Sequence, residues 1–399
     1  MRTASTGLLW MLAAGVLLGA CNVFDPSLYM DAGSDGGAVD ASPDAPDAGG
    51  ECDDRRVPPP RPTVDDGTSG DDVVVVLRDI QFNQLGGAWR EIGFDLDGYC
   101  TTTEAPQSEC TPPRAIDDGV GGIDNSFASN LFQSVNLAFG GQLEQTARSF
   151  QSLGVGALAV IVREWNGMAE DPRVDVVVAQ TVFGTTAAAV ADPDFQPGQV
   201  EPIVGDDGTP RLLDDMGNEV PPPAWDGTDV FYLRTDAFVD GDLDQPIVRD
   251  EQAYVTGGRL YVQIPDRITL AFSGGDQGVL IRVRGAVAEL SLPLGGGDEA
   301  LPATIGGRWS VDDIIRSASA IGICEGTPTY DIAIDTIRNA ADVLSRPGGD
   351  TSQPCDAVSF GFRLSGTPAD IGGVVEPPPL PDRCAAMSGG GGGTGGMGG

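Results

Sequence analysis

Two hydrophobic rhythms run through the chain. Residues 73–77 form an unbroken, mostly β-branched run. Residues 156–165 and 173–183 make a pair of strand candidates, and period-two spacing puts Val174, Val176, Val178 and Val182 on one face. Runs at 230–233, 259–264, 268–272 and 279–294 continue the series. In the last, the apolar phase changes near Gly285 to Glu289, which signals a bulge or a turn. The short separations favour antiparallel pairing.

A helical rhythm interrupts this pattern. Phe127, Leu131, Val135 and Ala138 share one stripe and Leu143, Ala147 and Phe150 another, with Gly140-Gly141 between them. Ser310 stands at capping distance from Asp313, ahead of Ile314, Ile315, Ala318 and Ile321. Ile334, Ile337, Ala341 and Leu344 predict a further helix, and residues 356–364 return to a strand. The pattern reads as α+β, predominantly an antiparallel, sandwich-like sheet with several amphipathic helices. The body, residues 73–375, is long enough for one large domain or two modest ones.

The two ends follow neither rhythm. Arg2 and the apolar stretch at 8–18 have the dimensions of a signal-peptide core, too short to span a bilayer. They end in Leu18-Gly19-Ala20-Cys21, small residues before a cysteine, which looks like a bacterial lipobox; residues 1–20 then read as a lipoprotein signal peptide, with lipidation at Cys21. An acyl anchor there tethers the chain to a membrane without a spanning helix. Asn22 follows the cysteine instead of Asp, which favours the outer membrane, on its periplasmic or surface face. Residues 21–72 then form an acidic Asp/Ala/Pro/Gly tether, with six Asp and no base between Asp25 and Asp47. Such a segment lacks the apolar surface to offset its ordering entropy and extends by self-repulsion. Residues 376–399 mirror it as a Pro/Gly-rich tail.

Charge removes whole classes of chemistry. The 399 residues carry a formal charge of −36, with 59 acids and 23 bases, and every base is Arg. With no His there is no Ser-His-Asp or Cys-His pair and no HExxH zinc site. With no Lys there is no Walker P-loop or Schiff base. So acidic a chain is a poor partner for nucleic acid. Beyond Cys21, six cysteines remain: Cys52, Cys100, Cys110, Cys324, Cys355 and Cys384. An even number in an exported chain reads as disulfides, with 15 connectivities open. The expected pairing is sequential: Cys100–Cys110 around a Pro-containing loop, Cys324–Cys355 around the helix at Ile334, and Cys52–Cys384. No CxxC spacing suggests zinc or thioredoxin-like chemistry.

The segment 89–125 has the strongest chemical character. Asp95, Asp97, Asp117, Asp124 and Asn125 lie among Gly-permitted turns, a supply of hard oxygens on irregular chain of the kind Ca²⁺ requires. The bland alternative is that Asp-Gly and Asn pairs simply make turns. A second Ca²⁺ candidate combines Asp240, Asp242, Asp244 and Glu251 at EF-hand-like positions 1, 3, 5 and 12. Gln245 takes the place of the required Gly there, Pro246 follows, and helical flanks are missing. Two-carboxylate hydrolysis survives the absence of His, with Glu91, Asp95, Asp97, Glu164 and Glu289 as available acids, but no spacing rule selects a pair.

The lipobox, the Asp-Ala-Gly/Pro tether, the Gly93-Phe94-Asp95-Leu96-Asp97-Gly98 to Gly122-Ile123-Asp124-Asn125 arrangement, Gly306-Gly307-Arg308-Trp309, and Cys355-Asp356-Ala357-Val358-Ser359 give the chain its likeness. It resembles Asp/Pro-rich exported lipoproteins of myxobacterial type. The resemblance implies an envelope location and a single architecture over most of the body, and carries over no catalytic residue. The expected protein is a membrane-anchored cell-envelope lipoprotein with a binding or structural role, stabilised by Ca²⁺, its protein or glycan partner unspecified. The alternative is a glycosidase-like hydrolase of envelope polysaccharide.

Overall fold

The runs at 73–77 and 158–163 lack alternation because both faces of their strands are covered. β1 (Val73–Gln81) pairs antiparallel with β2 (Leu158–Arg163), and β2 with β3 (Asp171–Thr185). In the other direction β1 pairs with β12 (Ala357–Pro368), and the ladder continues through β11 (Leu301–Ser310), β10 (Gln277–Ser291), β8 (Arg259–Ile264) and β7 (Arg249–Thr256). β7 then pairs with β3 and closes a ring of antiparallel strands. This computed structural model describes residues 54–379 and 384, apart from 65, 66, 69, 139, 265–267, 275, 276, 295–299, 349 and 350. The chain divides into Met1–Asp47 and Ala48–Gly399, and everything described belongs to the second unit. The signal core, Cys21, Cys52 and the Gly-rich end of the tail lie outside the described residues.

The architecture is thus α+β with an antiparallel sheet, and the sheet is a barrel-like ring where a sandwich was expected. β3 and β10 explain the difference. Each is 15 residues long, enough to hold two neighbours along one edge. β3 pairs with β7 through residues 171–177 and with β6 (Val230–Arg234) through 181–185. β10 pairs with β9 (Ile268–Gly274) through 277–283 and with β8 through 286–291. The expected bulge falls between Arg284 and Val287, with Gly285 at φ 53°. β13 (Asp370–Val375) adds a parallel strand to β6, and β4 (Glu201–Val204) with β5 (Pro210–Leu213) forms a separate pair.

Leu158, Val160 and Val162 face into the ring, and Ala159 and Ile161 face outward onto a second cluster with Phe231 and Leu233. Val174 and Val176 join the ring core with Val178 packed against it. Val182 does not, because β3 slips register between Thr181 and Phe183 and sends Val182 to the cluster around Phe183 and Tyr232. Side chains fill the ring almost completely, as expected for eight strands. The void left inside is about 50 Å³, a third of the ~150 Å³ cavity that admits benzene elsewhere. The interior is a packed core.

Helices complete that core. Phe127–Leu131 leads into α1 (Phe132–Ala138), and α2 (Leu143–Gln151) follows; Phe127, Leu131, Phe132, Leu143 and Ala147 join the ring cluster. After the short α3 (Ala187–Val190) come α4 (Val311–Ser317), capped by Ser310 Oγ accepting from the Asp313 N–H at 3.1 Å, and α5 (Pro328–Asn339). The helix expected to reach Leu344 stops at Asn339. Ala341, Val343 and Leu344 stay buried, but Val343 bridges to Ala357 and the Asp342 carboxylate accepts from the Ser359 N–H at 2.8 Å, which holds the segment extended.

The described disulfides are Cys110–Cys355 and Cys324–Cys384, 245 and 60 residues apart, and Cys100 is disulfide-bonded as well. All three sequential pairings are corrected. Cys110 stands beside Cys355 because Thr111 pairs parallel with Pro354: the Thr111 N–H donates to Gln353 O at 2.7 Å, and the Cys355 N–H to Thr111 O at 3.1 Å. Pairing between distant segments, not closure of a local loop, brings the thiols together. Residues 54–64, assigned to the tether by composition, lie along the body. The Arg56 N–H donates to Gly121 O and the Asp95 N–H to Arg56 O, both at 2.9 Å, and Arg61 donates to Pro172 O at 2.7 Å.

Candidate metal centre

The segment from Ile92 to Asn125 lies against β11 and β12 and folds back on itself through short polar side chains. Asp95 Oδ1 accepts from the Gly98 N–H at 2.8 Å and Asp97 Oδ1 from the Tyr99 N–H at 2.7 Å, so each closes its own turn. Asp124 reaches across to them: its Oδ2 accepts from the Leu96 N–H at 2.7 Å and the Asp97 N–H at 3.2 Å. Gly122, at φ 76°, allows this approach, since a Cβ there would stand 2.9 Å from Tyr99 O and 3.2 Å from an Asp95 carboxylate oxygen. Carboxylate oxygens of Asp95, Asp97 and Asp124 consequently lie within 4.8 Å of one another. That separation suits ligands on opposite sides of a Ca²⁺ ion, whose oxygen contacts are about 2.4 Å.

Three further acids surround this trio. Asp118 is buried and accepts from the Thr101 N–H; Glu109 is buried and accepts from the Leu344 N–H at 2.7 Å; Asp342 is buried against Ser359. Two guanidiniums counter these six carboxyls. Arg55 pairs with Asp95 from a half-exposed position. Arg308 is fully buried, pairs with Glu109, and donates to the carbonyls of Leu96 and Leu344, the latter at 2.7 Å. Six acids against two bases leave an excess of negative charge in a largely dry site.

The titrations follow from burial first and from that excess second. Desolvation, reinforced by repulsion from Asp97, Asp118 and Asp342, raises Asp124 well above the usual carboxylate range. Burial pushes Asp118 up to about 8 and Asp342 up to about 7, with repulsion from Asp97 contributing to both. Asp95, Asp97 and Glu109 are raised as well, again chiefly by desolvation. Burial makes each charged form costly, and proximity makes several together costlier still. These acids therefore keep their protons to higher pH than exposed carboxyls do.

Not every residue expected at the centre reaches it. Asp117 is exposed and its carboxylate accepts from the Thr103 N–H at 2.7 Å. Asn125 is buried but fully engaged: its Nδ2 donates to Gln84 Oε1 at 2.8 Å and Ile92 O at 2.9 Å, and its Oδ1 accepts from the Gly361 N–H at 3.0 Å. It pins the loop to β12 instead of offering a ligand. The second candidate does not assemble. Asp240, Asp242, Asp244 and Glu251 are all exposed; Asp242 accepts from the Asp244 N–H at 3.0 Å and Gln245 Nε2 at 2.6 Å, and Glu251 pairs with Arg249 on β7.

Of the acids considered for hydrolysis, Asp95 and Asp97 belong to this cluster and the other three lie apart from it. Glu91 and Glu164 are exposed, and Glu289 is neutralised by Arg56 and Arg259. Glu109, Asp342 and Arg308 were missed by sequence reasoning, although the last two left a signal. Asp342 interrupts an apolar stretch from Ala340 to Leu344, and Arg308 is the one charge in a Gly-Gly-Arg-Trp strand. The chain matches no family model, no curated protein and no solved structure. No helix of the described residues is long and apolar enough to cross a membrane.

Proposed function

We propose that this chain is an exported envelope lipoprotein, anchored through acyl chains on Cys21 to the outer membrane, whose body is a Ca²⁺-stabilised domain with a binding or structural role. The convergence of Asp95, Asp97 and Asp124 amid an uncompensated group of buried acids carries the Ca²⁺ reading. The donor set is all hard oxygen, without sulfur or imidazole, which suits Ca²⁺ and disfavours softer metals. The lipobox and the acidic tether support the anchor. In this reading the ion links Asp95 and Asp97 to Asp124, and so ties the two ends of the loop to one point beside β12.

Ca²⁺ titration of the chelated protein at pH 8, followed by thermal unfolding, tests the metal. At a hundred times its Kd the ion adds about 2.7 kcal/mol to stability. Asp124→Asn abolishes that gain, yet leaves the chelated protein as stable as its parent or more so, because one repelling charge is gone. Unchanged unfolding with and without Ca²⁺ sinks the metal. The anchor is tested separately: labelled palmitate enters the parent in a bacterial host, and Cys21→Ser removes both label and membrane association. Label that persists in the variant refutes acylation at that residue.

A further inference from the structure

A second polar recess lies away from the carboxylates, and its charge runs against that of the chain. It is a cleft of about 500 Å³ assembled from four stretches: β10 supplies Arg284, α4 supplies Arg316, the last turn of α5 supplies Arg338, and the segment after α5 supplies Arg346. Four guanidiniums in one recess are unexpected in a chain with 59 acids and 23 bases. Like charges gathered this way repel, and among the described residues all but one of the arginines outside the cleft have individual partners.

The arginines' partners separate this cleft from the rest of the surface. Arg316 is engaged, its guanidinium 2.8 Å from Asp313, which Arg282 also approaches at 3.5 Å. Arg284, Arg338 and Arg346 make no side-chain hydrogen bond, ion pair or ring contact among the described residues. Arg114 is the one other described arginine of which this is true, and it lies outside the cleft. The acids that line the recess do not answer them. Asp313 is held by two arginines, and both oxygens of Asp356 accept from Ser345, at 2.6 and 2.9 Å. Asp312 alone is uncommitted, exposed at the start of α4. Three free guanidiniums therefore face one free carboxylate. The Cys110–Cys355 disulfide fixes the wall from which Cys355 lines the cleft.

We propose that this cleft binds a phosphate monoester, its phosphate held by Arg284, Arg338 and Arg346. A carboxylate is satisfied by a single guanidinium fork, whereas the oxygens of a phosphate dianion accept from several forks arriving from different directions. Here three arginines from three separate elements line the same recess. The volume lies in the range of small-molecule sites and exceeds what the phosphate group alone needs, leaving room for the rest of the ester. The ester belongs to a soluble metabolite or to a lipid headgroup, and both present the same dianion.

Titration calorimetry on the full chain at low ionic strength, without added Ca²⁺, tests this with inorganic phosphate and glucose 6-phosphate as probes. Sedimentation with phosphatidic acid vesicles, against phosphatidylcholine vesicles, tests the membrane source. The expected result is saturable binding of at least one phosphate probe, weakened about tenfold or more by Arg338→Gln and by Arg346→Gln. Both side chains are exposed and unpartnered, so the thermal unfolding of these variants should match the parent. Arg338→Lys retains part of the affinity, and Arg114→Gln all of it. Binding confined to soluble probes assigns a metabolite, and binding confined to phosphatidic acid assigns a headgroup. Absence of binding to every phosphate probe overturns the proposal. So does a loss that is equal in the Arg114 and Arg338 variants, which marks general charge attraction. Neither result bears on Ca²⁺, since no cleft residue belongs to the carboxylate cluster.

Discussion

Two loops of this protein contain the same tripeptide, Asp95-Leu96-Asp97 and Asp242-Leu243-Asp244, and put it to different uses. In the second loop the Asp242 carboxylate closes its own turn in solvent, and hydrogen bonds from Gln245 and Asp244 hold it below its ordinary value. In the first, the same kind of local turn is made, and then Asp124, Asp118, Glu109 and Asp342 arrive from elsewhere in the chain. Desolvation and mutual repulsion push the carboxyls up. Local spacing is alike in the two loops; what differs is the burial and the further acids that the fold brings against the first. The carboxylate cluster is a property of tertiary convergence, and the motif by itself makes only a turn.

The sharpest way to break this contrast is to remove the buried cation of the first loop. Arg308→Met leaves Glu109 buried without its partner and strips donors from the carbonyls of Leu96 and Leu344. Breaking a buried pair from one side costs about 4 kcal/mol, read as a fall in urea unfolding free energy. A loss below about 1 kcal/mol would mean that Glu109 is already neutral and that Arg308 does not organise the cluster.

A smaller effect separates the loops by pH. An unfolded Asp titrates near ~3.9. In the folded, chelated protein Asp342 and Asp118 titrate at about 7 and about 8, with Asp124 also raised. Between the unfolded and folded values the native state holds protons that the unfolded chain has released. Stability from these groups is therefore complete below the unfolded value and is lost as pH rises through the folded ones. The chelated protein should melt several degrees lower at pH 8 than at pH 5, and saturating Ca²⁺ should remove the difference. Exposed turn-capping acids such as Asp214 and Asp226 are shifted downward, and their contribution is lost only on acidification below the unfolded value. A chelated protein whose melting point rises from pH 5 to pH 8 would show that the buried group does not dominate.

Much of the strand inventory was legible in the pattern, because a β-branched run covered on both faces cannot be mistaken for solvent-exposed chain. The phase change at Gly285 marked a real bulge, and Ser310 a real cap. Ring closure was not legible. It depends on β3 and β10 each holding two partners along one edge, which no periodicity encodes, and β11 was passed over because Gly306 and Gly307 dilute its apolar signal. The same limit applied to the site. Asp95, Asp97 and Asp124 stood out by their turns, whereas Asp342 and Arg308 reach the cluster only through long-range contacts, Asp342 against Ser359 of β12 and Arg308 from β11. The sequential disulfide pairing failed for the same reason: chain distance says little about neighbours in a closed sheet.

The smallest expected effect falls on the loop that does not assemble. Asp242→Asn keeps a side-chain oxygen able to accept from the Asp244 N–H and removes a charge fully open to water. The urea midpoint should stay within error of the parent, both in chelator and in saturating Ca²⁺, and Glu251→Gln should behave likewise, since exposed ion pairs such as the one with Arg249 contribute little. Asp124→Asn, by contrast, removes the entire Ca²⁺ response. Should Asp242→Asn reduce the Ca²⁺-induced rise in melting temperature, the second loop would also bind the ion, and burial would no longer be what distinguishes the two tripeptides. An unchanged rise leaves the distinction with the buried acids that the fold gathers around Asp95 and Asp97.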